Sequence, residues 1–207
     1  MKKIERRQGQ SRLLDLKEIK RVLQGQVGTK HEKRNICLLT MGFYGGTRVG
    51  ELSELRICDV LNDDWTVKDT VILRKEFTKT KQTRELFLTN KIVRKSIEDY
   101  ITERRECDGL TKIHFKRHLF KTQKGTGFTN RTLQRCIKDM FRKVGLDDNV
   151  STHSMRRTFI TNLFEDGIDV KIISKLVGHS NVQTTLNTYY TVRNDRLMDI
   201  TENLTLR

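Results

Sequence analysis

Cysteine is scarce in this sequence, with four residues among 207: Cys37, Cys58, Cys107 and Cys136. They stand far apart, and no two of them form a C-x-x-C pair. Structural zinc sites use closely spaced cysteines, and disulfide frameworks are dense in cysteine. We therefore expect reduced thiols, no metal site and a protein that acts in the cytoplasm.

Long apolar runs are also missing. Hydrophobic residues make up 35% of the chain and charged residues 32%, and no window approaches the roughly 18 apolar residues of a membrane helix. The basic N-terminus, residues 1–12, is not followed by an apolar segment with a small-residue cleavage site. We expect neither a membrane span nor a secretory signal.

Acidic residues are outnumbered, since 26 Asp and Glu face 41 Lys and Arg and leave a formal charge of +15. The excess is clustered, with a net +7 over residues 1–34 and a net +9 over residues 112–143. An even solubility charge is the alternative, but such clustering favours a polyanionic partner, and nucleic acid is the first candidate.

The length allows one domain or two small ones, and we expect one. Its periodicity predicts an α+β fold that is mostly α-helical, with a small antiparallel β-sheet. Residues 66–77 and 84–88 are the predicted strands, joined by a charged hairpin tip at 78–83, and residues 108–128 are predicted to be irregular. Helices are predicted over residues 12–24, 33–43, 49–57, 90–105, 131–144, 153–165, 170–177, 183–190 and 193–203.

The predicted helix 131–144 has one apolar face and one basic face. The basic face carries four cations: Arg131, Arg135, Lys138 and Arg142. Such a helix is suited to lie against DNA, although a solvated surface face gives the same pattern.

Two segments place basic residues where they could meet a phosphate or a leaving group. Arg48 follows a glycine corner, and Glu51 lies three residues later on the same helix face, so the carboxylate could hold the guanidinium for bidentate phosphate binding. Lys79 and Lys81 lie at the hairpin tip, where a lysine could donate a proton. A structural ion pair and an ordinary charged turn are the alternatives.

Three further segments carry groups that can transfer protons or attack phosphorus. His153 and Arg156 are three residues apart at the start of a helix, beside its apolar face. His179 follows a helix stop, and Tyr189 and Tyr190 come ten residues later. Taken alone, each segment is more often explained by a structural ion pair or by packing than by catalysis.

Taken in this order, the five segments resemble the tyrosine recombinase family, also called the phage integrase family. That family shows a G-x-R-x-x-E-L segment, a hairpin lysine, an H-x-x-R segment, an L-G-H segment and a tyrosine. Here they are found at residues 46–52, Lys79, residues 153–156, residues 177–179 and Tyr189. The resemblance implies the catalytic-domain fold of DNA breaking and rejoining enzymes.

The sequence departs from the family pattern in places. Proline is absent, so Thr152 and Phe87 stand where the family commonly has one. Residues 79–84 are similar to the family's K-T-G-x-x-R, which favours Lys79 over Lys81. Residues 184–189 are similar to its T-T-x-x-x-Y ending, which favours Tyr189 over Tyr190.

The resemblance implies site-specific cleavage and rejoining of DNA through a 3′-phosphotyrosine on Tyr189, with neither ATP nor a metal as cofactor. Arg48 and Arg156 would clamp the non-bridging phosphate oxygens, and Glu51 would hold Arg48. In the same scheme His153 would help accept the tyrosine proton and His179 would hydrogen-bond the phosphate.

The departing 5′ oxygen would receive its proton from Lys79. The helix 131–144 is similar to the family's major-groove helix, which makes its four cations candidate DNA contacts. Integration, excision and inversion are all within the family.

The resemblance also implies partners and an organisation of the chain. The partners would be double-stranded DNA with recombination sites, three further copies of the chain in a tetramer, and accessory DNA-bending or directionality proteins. We expect a basic tail at residues 1–11, a catalytic domain at 12–192 and a tail helix at 193–207 that docks on a neighbouring subunit. The chain is then either a fragment of a longer integrase or a short stand-alone recombinase.

Three alternatives remain open. They are a non-cleaving DNA-binding relative, a type IB topoisomerase and an RNA-binding structural protein.

Overall fold

The computed structural model describes residues 11–73 and 83–190, apart from the side chains of Tyr189 and Tyr190. The predicted lysines Lys79 and Lys81 and the tail 193–207 lie outside the described residues, as does most of the basic tail 1–11. Within the described part, no helix is long and apolar enough to cross a membrane.

The described chain is mostly helical with one two-stranded antiparallel sheet, as predicted. In the sheet Thr70 pairs with Phe87 and Leu73 pairs with Arg84. In chain order, the elements are α1 Leu16–Gln24, α2 Glu32–Gly45, α3 Val49–Glu54, α4 Ile57–Val60, β1 Thr70–Leu73, β2 Arg84–Phe87, α5 Lys91–Asp108, a 3₁₀ turn Lys112–His114, α6 Asn130–Lys143, α7 Thr152–Glu165, α8 Val170–Val177 and α9 Val182–Tyr190.

Helix α2 lies at the centre of the main core, packed against α5 on one side and α7 on the other. The approach to α7 is close, since a Cβ on Gly42 would lie 2.6 Å from the Met155 sulfur. A second small cluster around Ile160, Ile173 and Val177 joins α7 to α8. The core thus fixes α7 on α2, and α7 in turn carries α8.

Several predicted boundaries are wrong; α5, for example, ends at Asp108 rather than at residue 105. Three others have local reasons. Helix α1 begins at Leu16 rather than at residue 12, because Asp15 caps it in a capping box with Glu18. The helix predicted over residues 49–57 is two short helices, because Leu55 and Arg56 have extended backbone. Strand β1 begins at Thr70 rather than at residue 66, because residues 62–66 form a tight turn and residues 67 and 68 bond back to residues 61 and 60.

Gly46 ends α2 in the left-handed region, at φ 58°, and this corner delivers the chain to Arg48. A Cβ on Gly46 would lie 2.3 Å from the Phe159 ring. We expect Gly46→Ala to lower the free energy of unfolding by about 2–4 kcal/mol, since left-handed strain and overpacking add. Urea unfolding measures this loss.

Gly109 offers a matched control, because it has φ 59° but nothing within 4 Å of a Cβ. Gly109→Ala carries the strain without the clash and is expected to lose only about 1–2 kcal/mol. Equal losses in the two variants would show that the contact with Phe159 is unimportant.

Candidate active site

Arg48 is the N-cap residue of α3, directly after the glycine corner. Its Nη1 donates to Glu51 Oε1 at 2.7 Å, and its backbone N–H donates to Glu51 Oε2 at 2.8 Å. Its Nη2 donates to the carbonyl of Gly178 at 2.8 Å. The predicted ion pair is therefore present, and its arginine also reaches the end of α8. Among the described residues, the guanidinium itself donates these two bonds, which leaves three of its five N–H groups for another acceptor.

Arg156 begins the second turn of α7 and is buried, with 7% of its surface exposed. Its Nη1 donates to the Gly46 carbonyl at 2.5 Å, and its Nη2 donates to the Val177 carbonyl. Burial lowers the pKa of Arg156, and the positive charges of Arg48 and Arg84 lower it further. The two arginines thus meet on the adjacent carbonyls of residues 177 and 178.

His179 follows Gly178, which ends α8 in the left-handed region. Its Nδ1 lies 2.7 Å from the hydroxyl of Thr185, a buried residue of α9. Burial lowers the pKa of His179 to about 4, with the positive charges of Arg156, Arg48 and Arg84 adding to the effect. The imidazole is therefore neutral near pH 7.

Arg48 lines a cavity with Arg84 and His179, whereas a second cavity of about 430 Å³ joins Arg156 and His179 to α9. It is lined by His153, Arg156 and His179, and by Asn187 and Thr188 of α9. His153 is exposed, and Tyr189 is the next residue after Thr188. The structure thus brings the two predicted histidines and Arg156 to one cavity, beside the helix that carries the predicted nucleophile.

Sequence reasoning missed Arg84 and Thr185. Arg84 begins β2, and its Nη1 donates to the Val177 carbonyl at 2.7 Å and lies 3.5 Å from Glu51 Oε2. Arg84 stands at the arginine of the family's K-T-G-x-x-R pattern, which was a signal. The sequence does not show which residues this arginine contacts. Three guanidinium groups and one carboxylate therefore surround the end of α8.

The four candidate DNA contacts on α6 differ in their surroundings. Arg131 and Arg135 are exposed, and neither has a partner among the described residues. Lys138 is held by the carbonyls of Asp148 and Val150, and Arg142 by the Asp148 carboxylate. The first turns of α6 are thus the part most open to a polyanion.

The shifted pKa of His179 predicts a pH effect on stability. A histidine that titrates near 6.5 when unfolded and near 4 when folded stabilises the fold above pH 6.5, and this contribution is lost as the pH falls to 4. We therefore expect His179→Gln to flatten the rise of unfolding free energy between pH 4 and 6.5, measured by urea unfolding. His153→Gln, at an exposed position, is the control. If His179→Gln leaves the pH dependence of the unfolding free energy unchanged, the lowered pKa of His179 is contradicted.

A compact cluster of cations with two histidines beside it defines a protein that can hold an anionic group such as a phosphodiester. The sequence matches the model of the phage integrase family over residues 12–196. The chain therefore belongs to the phage integrase family, and the predicted family is confirmed.

Two curated relatives illustrate the match. Transposase A from transposon Tn554 of Staphylococcus aureus is 27% identical over 90% of this chain and 50% of its own length. Tyrosine recombinase XerD of Oceanobacillus iheyensis is 28% identical over 91% of this chain and 60% of its own length. The chain thus spans about half of the curated relatives that it matches.

Solved structures confirm the predicted fold. The XerA recombinase superposes with a TM-score of 0.73 at 26% identity, over 95% of this chain and 67% of that chain. The Tn1549 transposon integrase, in complex with transposon right end DNA, gives a TM-score of 0.69 at 22% identity over 93% of this chain and 66% of that chain.

Proposed function

We propose that this chain is the catalytic domain of a site-specific DNA recombinase that cleaves and rejoins strands through a phosphotyrosine on Tyr189. The observation that carries the proposal is the meeting of Arg48 and Arg156, from two distant segments, on adjacent carbonyls directly before His179. Relatives named tyrosine recombinase and transposon integrase support it.

Arg48 and Arg156 would bind the non-bridging oxygens of the scissile phosphate. Each guanidinium is anchored by two acceptors, so its remaining N–H groups are fixed before DNA arrives. Preorganised donors of this kind stabilise charge that develops in the transition state, because they need no reorientation during the reaction.

His179 would hydrogen-bond the phosphate as a neutral imidazole. If the Thr185 hydroxyl donates to Nδ1, the proton of the ring lies on Nε2, which is then a donor. His153, exposed on the cavity wall, would help to accept the tyrosine proton.

Strand cleavage would form one phosphorus–oxygen bond and break another. The Tyr189 oxygen bonds to phosphorus, the bond to the 5′ oxygen breaks, and Lys79 protonates that oxygen. The product keeps a phosphodiester-like bond, so a 5′-hydroxyl can reverse the step without ATP. Catalysis of such a transfer consists largely of positioning and charge stabilisation.

A captured covalent adduct tests the proposed function. The chain is incubated with nicked duplexes whose central sequence is randomised. The nick lies beside the cleavage site, so that the short fragment with the freed 5′-hydroxyl diffuses away after cleavage. Adducts that survive SDS support the proposal. Binding without an adduct favours a non-cleaving relative, relaxation of plasmids without strand exchange favours a topoisomerase, and tighter binding to RNA at fixed salt favours the RNA-binding alternative.

Helix α6 is proposed to read the DNA, and its exposed arginines give a salt-dependent prediction. Arg135→Met is expected to weaken DNA binding and to lower the slope of log affinity against log salt by about 1, because one phosphate contact is lost. Lys138→Met is the comparison, since that amine is already held within the protein. An unchanged slope in Arg135→Met would remove this residue from the interface.

The proposed organisation is a catalytic domain at residues 12–192 with a tail at 193–207 that docks on a neighbouring copy in a tetramer on two DNA sites. Light scattering of the chain on its captured DNA tests the tetramer. Deleting residues 193–207 should leave binding to a single site intact while reducing assembly.

A further inference from the structure

Arg84 has no part in the steps above, yet it lies in the middle of the site. Only 5% of its surface is exposed, and it contacts Val177 and Glu51. Its Nε and Nη2 atoms are buried without a partner among the described residues. A buried cation with unused donors is costly to the fold, so its presence requires a reason.

Each contact of Arg84 is shared with one of the two arginines proposed to bind phosphate. The Val177 carbonyl accepts from both Arg84 and Arg156. Glu51 lies between Arg84 and Arg48. Arg84 therefore touches the anchor of each of these arginines, and it joins two segments that are 93 residues apart.

The end of α8 is also shaped to the Arg84 side chain. A Cβ on Gly178 would lie 2.5 Å from Arg84 Cδ, which is closer than real Cβ contacts allow. The backbone thus passes directly over the aliphatic part of Arg84 before it reaches His179.

We propose that Arg84 is a positioning residue of the phosphodiester site: it fixes Arg48, Arg156 and His179 around the end of α8 and adds a third positive charge without touching the substrate. This inference rests on the proposed function for its catalytic part. The part that concerns anion binding does not rest on it, because binding of inorganic phosphate can be measured without DNA cleavage.

The electrostatics of the cluster agree with this role. Burial lowers the pKa of Arg84, Glu51 counteracts this effect, and the charge of Arg48 adds to it. Arg84 in turn helps to lower the pKa values of Arg156 and His179. Arg48 and Arg84 line one cavity with His179, and Arg156 and His153 line another with the same histidine. An anion bound beside His179 would reduce the repulsion among the three guanidinium groups.

Three variants test the role: Arg84→Met, Arg84→Lys and, as a control, Arg105→Met, whose side chain is exposed over Trp65. For each, NMR gives the pKa of His179, and thermal unfolding gives the stabilisation by inorganic phosphate. The captured-adduct assay gives the single-turnover cleavage rate.

In Arg84→Met we expect the pKa of His179 to rise, the stabilisation by phosphate to be lost, and cleavage to slow by about 100-fold because the arginines are misplaced. Arg84→Lys keeps the charge, so the pKa of His179 should stay near its original value of about 4 while cleavage is only partly restored. Arg105→Met should behave as the unmodified chain.

A folded Arg84→Met with unchanged phosphate stabilisation and unchanged His179 pKa overturns the inference. If that variant does not fold, Arg84→Lys decides: cleavage at the original rate overturns the inference. If the unmodified chain forms no adduct at all, the proposed function fails, whereas the phosphate and NMR measurements still judge Arg84 separately.

Discussion

Replacing Arg156 by lysine is expected to slow strand cleavage by about 1000-fold while DNA binding stays within a few fold of the original. The guanidinium donates to the Gly46 and Val177 carbonyls at once. Lysine keeps the charge, but as a point donor it cannot hold both anchors and still face the phosphate in a fixed plane. Loss of one preorganised donor costs about 10²–10³ in rate.

The single-turnover rate of adduct formation measures this effect, and gel shifts measure binding. Arg105→Lys on α5 is the control, since its exposed side chain lies over Trp65. Thermal unfolding shows whether each variant is folded. A folded Arg156→Lys that cleaves within tenfold of the original rate would contradict the role given to the buried guanidinium of Arg156.

The second large effect is expected for Glu51, whose side chain is fully buried. It forms ion pairs with Arg48 and Arg84, and its charge also acts on Arg156. Glu51→Gln leaves three guanidinium groups without the carboxylate that balances them. We expect a loss of about 3–5 kcal/mol in the free energy of unfolding, because breaking a buried pair leaves buried charge uncompensated.

Added phosphate should recover part of this loss, since an anion in the cluster replaces the missing charge. Urea unfolding with and without phosphate measures both effects. Asp99→Asn, in the exposed pair with Lys95, should cost less than about 1 kcal/mol and gain nothing from phosphate. A loss below about 1 kcal/mol for Glu51→Gln would show that the cluster does not depend on its carboxylate.

Local patterns predicted the parts of this site that depend on neighbours in sequence. The spacing of Arg48 and Glu51 predicted their ion pair, which the structure contains. Periodicity predicted the apolar and basic faces of α6. These features are set within one or two turns of helix, which is the range over which sequence spacing is informative.

Contacts between distant segments could not be predicted in this way. Arg84 is buried only because α8 passes over it, and Lys138 is held only because the loop after α6 returns to it. The pairing of His179 with Thr185 links the turn after α8 to α9. The order of the five segments identified the family. The structure was needed to show that Arg84 and Arg156 share the carbonyl of Val177 while Arg48 bonds to that of Gly178.

The most direct test of the account is to map the covalent adduct. DNA captured by the unmodified chain, by Tyr189→Phe and by Tyr190→Phe is trimmed with nuclease, and mass spectrometry locates the nucleotide on the peptide. We predict a nucleotide on Tyr189 in the unmodified chain and in Tyr190→Phe, and no adduct in Tyr189→Phe. An adduct that persists in Tyr189→Phe, or none in the unmodified chain, would contradict the central claim.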